Sequence, residues 1–144
     1  MRVMVFMKAD KNTEAGVMPS EQEIAEMMKF NEELVKAGVM LAGEGLHPSS
    51  KGARVRFSGG KANVTSGPFP ETNQIVCGFW TWKVNSLQEA LQWLERSPMI
   101  KGEGVEVEVR PVFEAEDFGK ELTPELRKKE EELRAETARL AKAG

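Results

Sequence analysis

The ten residues from Ile75 to Val84 read IVCGFWTWKV, apolar at odd and even positions alike and rich in aromatic and β-branched side chains. A strand sends successive side chains to opposite faces, so this run supplies apolar groups to both sides of a sheet and reads as a central strand. Trp80 and Trp82, two apart, share one face, and Phe79 stands on the other. A sheet containing such a strand needs cover on each side, and helices supply it on only one if both pack on the same face. A second copy of the sheet is the simplest cover for the remaining face, which is expected to hold the two tryptophans.

The other segments sort by their hydrophobic period. Arg2 to Met7 is a nearly unbroken apolar run of strand length. Ser20 followed by Glu23 has capping-box spacing and starts a helix that runs to about Ala37 and stops at Gly38. On that helix Ile24, Met27, Met28, Leu34 and Val35 fall on one face at about 100° per residue, with Asn31 in their midst. A buried amide needs partners, so Asn31 either fixes a loop by hydrogen bonds or reaches into a ligand cavity. Val39 to Ala42 is a second strand. Ala53, Val55 and Phe57 alternate with Arg54 and Arg56 ahead of Gly59-Gly60 and Asn63 to Thr65, which predicts a peripheral hairpin. Ser86 with Glu89 opens a second helix that ends before Pro98, and Val105 to Arg110 alternates as a final strand.

Strand, helix, strand, inserted hairpin, strand, helix, strand is the split βαβ, ferredoxin-like order, an α+β fold with an antiparallel sheet. Residues 1–114 make this domain and residues 115–144 an extension. Thr123 as N-cap and Pro124 as first helical residue start a charged C-terminal helix to about Lys142. Its Leu126, Leu133 and Leu140 give one apolar position per seven residues, where an autonomous coiled coil needs two.

Charge narrows the partners. A net charge of −3 leaves no broad basic footprint, so duplex nucleic acid and anionic membranes are not expected as direct partners. No apolar run has the length of a membrane span and Met1 to Asp10 has no signal-peptide pattern, so the expected location is cytoplasmic. The one cysteine, Cys77, lies in the apolar run and reads as a small buried hydrophobe.

Ser66, Gly67, Pro68, Phe69, Pro70, Glu71 and Thr72, directly before the aromatic strand, resemble the DGPF-x-E-T segment of the YCII-related proteins, and FNEELVKAGVMLAGEGLHPSS from Phe30 to Ser50 resembles their helix, second strand and loop. The resemblance spans roughly Met1 to Phe113. It implies a dimeric α+β barrel in which two ferredoxin-like sheets face each other over a cavity, and relatives encoded near sigma factors imply a signalling or transcription-associated role. Ser66 replaces the motif aspartate, and Asn73-Gln74 stands where Lys-Glu is usual, so any charge chemistry of that aspartate is lost while a turn-forming hydrogen bond can survive.

The candidate chemistry lies at few positions. His47 is the only histidine, and imidazole exchanges protons near neutral pH. With Glu44 three residues earlier it would form an acid–base pair at a barrel mouth, or else an exposed turn. Glu71 is either a base beside the cavity or a support for the Gly67 turn through Arg54 or Arg56. Asn31, Ser66, Thr72, Trp80, Trp82 and Arg110 complete the candidate ligand-binding set. One His and one Cys cannot make a typical zinc set, and GEG at 43 to 45 lacks the lysine of a phosphate loop, so neither metal nor cofactor is expected. Two readings follow. The first is a homodimer that holds a small, partly aromatic molecule in its cavity, with or without cofactor-independent acid–base catalysis. The alternative is a non-enzymatic module that captures a regulatory protein through the C-terminal helix.

Overall fold

The computed structural model describes all residues, 1–144, in two compact units, Met1–Val112 and Phe113–Gly144. In the first unit β1 (Arg2–Lys8), β2 (Met40–Gly45), β5 (Val76–Lys83) and β6 (Val107–Pro111) form an antiparallel sheet in the order β2-β5-β1-β6. That is the ferredoxin-like order, with β5 and β1 at its centre.

A short helix α1 (Lys11–Glu14), capped reciprocally by Asp10 and Thr13, interrupts the loop after β1. The long helix α2 (Glu21–Lys36) begins where the Ser20 hydroxyl accepts from the Glu23 N–H at 3.1 Å, and it ends at Gly38, whose φ of +72° suits glycine. Helix α3 (Leu87–Glu95) repeats the cap with Ser86 and Glu89 at 3.1 Å.

Phe30 and Leu34 of α2 and Ala90 of α3 join Val3, Val5, Trp80 and Trp82 in one core, so both helices lie on the same side of the sheet. The Phe30 ring meets Trp80 and Trp82 edge-on at centroid distances of 5.8 and 6.4 Å, a favoured aromatic geometry. The tryptophans therefore face the helices, at 3% and 0% exposure, and not the side left open as the sequence suggested. Register explains the difference: Val3 pairs with Trp82 and Val5 with Trp80, so the indoles share the parity of the two fully buried valines. Burying each such large side chain stabilises the fold by about 2–3 kcal/mol.

The core stripe of α2 also differs from the expected one. Phe30, Leu34 and half-buried Met27 pack inward, whereas Met28 and Val35 are exposed.

The open face of the sheet carries the opposite parity. Met4 and Phe6 of β1 stand there with Cys77, Phe79 and Thr81 of β5, Phe6 directly opposite Phe79, and all five are half-buried. Glu44 of β2 pairs with Phe79, while Glu108 and Arg110 of β6 pair with Phe6 and Met4. This face is the one without cover from the helices.

Strands β3 (Ala53–Ser58) and β4 (Lys61–Ser66) form a separate two-stranded ribbon. Its two-residue loop, Gly59-Gly60, has positive φ at both positions, as a tight hairpin turn demands. Every residue of both strands is exposed.

In the second unit, Thr123 accepts from the Leu126 N–H at 3.2 Å and starts α4 (Pro124–Ala143). Glu130 pairs with Arg134 at 2.8 Å, and Glu136 pairs with Arg139. Leu126, Leu133 and Leu140 are each about half exposed, and the rings of Phe113 and Phe118 lie 5.3 Å apart. No helix is long and apolar enough to cross a membrane.

Candidate functional site

A groove of about 690 Å³ lies on the helix side, between α2 and the 3-10 turn Pro98–Lys101. Ile24, Met27, Met28 and Met99 wall it, Asn31 contributes its amide, and Lys101 sits at the rim. The size and the mostly apolar walls with few polar groups match small-molecule sites. Glu26 also lines it, held below the ordinary carboxylate range by hydrogen bonds from Gln22 and Lys101, both at 3.3 Å.

Asn31 is the informative side chain. Its Oδ1 accepts the Trp80 Nε1–H at 3.0 Å. An indole N–H can only donate, so this bond fixes which end of the amide faces the core. The Nδ2 amino group carries the two donors of a residue that also lines the groove. The sequence offered a loop or a ligand cavity for Asn31; its oxygen instead braces a core indole on β5, and the residue lines the groove.

The DGPF-like segment forms a second cluster. The Gly67–Pro68 bond is cis, and a Cβ at Gly67 would fall 1.7 Å from the Ser49 carbonyl oxygen, so only glycine fits. Buried Ser49 is the keystone: its hydroxyl bonds to the Glu14 carboxylate, its N–H donates to the same carboxylate at 2.9 Å, and its Oγ accepts the Phe69 N–H at 3.0 Å. The two bonds from Ser49 hold the Glu14 carboxyl below its usual range, the serine hydroxyl foremost and its N–H next. Neither Glu14 nor Ser49 stood out in sequence, because both lie in polar stretches that carry no period.

Glu71 pairs with Arg54 at 3.1 Å, and this hydrogen bond lowers its pKa. Arg54 also lies 4.0 Å above the Phe69 ring. Thr72, half-buried, starts the 3-10 turn Thr72–Gln74 that leads into β5, and Ser66 is the exposed last residue of β4, opposite Ala53.

His47 is exposed in the loop after β2, and no hydrogen bond or ion pair joins it to Glu44, which lies on the open face. Arg110 stands on that face too, 3.9 Å from Glu108, which also pairs with Lys8 at 3.5 Å. Cys77 occupies the same face, its thiol pushed up chiefly by burial and further by the charges of Asp10 and Glu14. The residues singled out in sequence are therefore dispersed: Asn31 lines the groove, Trp80 and Trp82 lie in the core, Ser66, Glu71 and Thr72 surround the Gly67 turn, Glu44 and Arg110 stand on the open face, and His47 is in an exposed loop. No group of His, Cys, Asp and Glu able to hold a metal ion occurs.

These features define an α+β protein of ferredoxin-like topology with an inserted ribbon and a C-terminal helix. The chain belongs to the YCII-related domain family, whose sequence profile matches residues 1–116. No curated protein sequence matches it. Among solved structures it is similar to the 5-chloro-2-hydroxyhydroquinone dehydrochlorinase TftG from Burkholderia phenoliruptrix AC1100, in complex with 2,5-dihydroxybenzoquinone, with 14% identity and a TM-score of 0.46 over 83% of this chain and 100% of that one.

Proposed function

We propose that this protein binds a small, neutral, partly aromatic molecule in the groove between α2 and Pro98–Lys101, and that it works as a homodimer through the open face of its sheet. The observation that carries the ligand reading is the Trp80 to Asn31 bond, which leaves the amide donors beside a largely apolar cavity of about 690 Å³. Those donors favour a carbonyl or ether oxygen on the ligand. Two carboxylates, Glu23 and Glu26, stand against one ammonium, Lys101, among the lining residues, which disfavours an anion. The dimer reading draws on Met4, Phe6 and Phe79, which remain without helical cover. Binding stands ahead of catalysis, because Glu71 is engaged by Arg54 and His47 has no carboxylate partner.

The test is titration with 4-methoxyacetophenone, followed by calorimetry and by tryptophan emission. Asn31→Asp keeps an acceptor for Trp80 and removes both donors, so affinity should fall about tenfold, about 1.4 kcal/mol. Absence of saturable binding, or unchanged affinity in Asn31→Asp, would refute the groove as the site.

A further inference from the structure

A two-stranded ribbon on its own is marginal in water, since it lacks a third strand or a helix to bury an apolar face. The β3–β4 ribbon has such a face. Val55 pairs with Val64 and Phe57 with Ala62 on one side, all exposed, with Phe57 at 80%. Arg54, Arg56 and Lys61 share the other side. That basic side is the one attached to the body, through Arg54 to Phe69 and Glu71. The apolar side is left largely exposed, Phe57 and Val64 most of all.

Two further observations select the occupant. Between Gly45 and Pro70 fall four basic residues, Lys51, Arg54, Arg56 and Lys61, and none of the 23 acidic ones, although the whole chain carries −3. The ribbon is a cationic extension of an anionic body, so a second copy of the same body attracts it. The ribbon also grows out of β2 and returns into β5, the strands that contribute Glu44, Cys77 and Phe79 to the open face. The chain thus joins it directly to two strands of the surface proposed above as the dimer face.

We infer that the β3–β4 ribbon is an intersubunit arm whose Val55, Phe57 and Val64 side seats on a second copy of this chain. Around a two-fold axis each arm embraces the other subunit, so the contact closes on itself and does not propagate. This inference rests on the dimer reading and adds to it the element that clasps the partner. Nucleic acid is the rival occupant. Arg54 is already engaged, leaving Arg56, Lys61 and Lys51, few charges for phosphate contacts, and an apolar stripe is of no use to them.

The experiment is analytical ultracentrifugation of the full chain, with Phe57→Glu, Val64→Glu and, as a control on the opposite side, Arg56→Gln. A photo-crosslinking p-benzoylphenylalanine placed at Phe57 adds a readout independent of folding. The expected result is a wild-type dimer, at least tenfold weaker association in Phe57→Glu and Val64→Glu with unchanged circular dichroism, an unaltered Arg56→Gln dimer, and a covalent dimer on irradiation. A monomeric wild type overturns both the dimer and the arm. A dimer that neither glutamate weakens, with no crosslink, overturns the arm alone. Binding of a 20-base-pair duplex that Arg56→Gln weakens and Phe57→Glu does not also overturns it.

Discussion

Ser49 ties three chain segments together, and its partner Glu14 makes that tie sensitive to acid. Glu14 is ionised and hydrogen-bonded in the folded state, so its native pKa lies below the unfolded value of about 4.3. The stabilisation it gives is complete above the unfolded pKa and is lost as pH falls through the lower native one. Urea unfolding between neutral and acidic pH should show wild type losing stability across that window. Glu14→Gln should be less stable at neutral pH and lose less on acidification, and parallel curves for the two would contradict the role of this carboxylate. Ser66, which stands where the DGPF pattern has aspartate, makes no side-chain contact comparable to those of Ser49. The hydrogen bonding that steadies this turn comes from a serine distant in sequence, which no local pattern could reveal.

At the scale of elements, α2 is held chiefly by Phe30, the ring that wedges against Trp80, Trp82 and Trp93. Phe30→Ala removes a buried aromatic from three edge contacts and should cost about 3–5 kcal/mol by denaturant unfolding. A loss below about 1 kcal/mol would mean that the core re-forms without it. Strands and helices were legible from period and caps: Ser20, Ser86 and Thr123 each start the helix they foretold. Which face of β5 meets the helices was not. A strand apolar at both parities fixes its own burial but leaves open which parity is inside; here the decision comes from pairing with Val3 and Val5, a long-range fact. Thr81 and Cys77 on the other parity were the faint signal that the tryptophan side is the drier one. The groove escaped notice for the same reason, since it needs Met27 and Asn31 of α2 beside Met99 and Lys101, some seventy residues later.

On the scale of the whole molecule, the helices satisfy one side of the sheet and leave Phe6 and Phe79 paired on the other, between Glu44 and Glu108. In the dimer reading this pair lies at the centre of the subunit contact, where aromatic residues carry much of the energy. Phe79→Glu should then dissociate the dimer in sedimentation while leaving the core intact, because Phe79 points away from it. A Phe79→Glu protein that sediments like wild type would remove the open face from the contact. The family match ends at residue 116, close to where the first compact unit ends at Val112. Phe113–Gly144 thus lies almost wholly beyond the matched residues.

The chain has no tyrosine, and Trp80, Trp82 and Trp93 all border Phe30. Excited at long ultraviolet wavelengths, the protein therefore emits from one spot under α2. Its glow follows events in that neighbourhood, while fraying of the C-terminal helix passes in the dark and has to be watched through backbone amides.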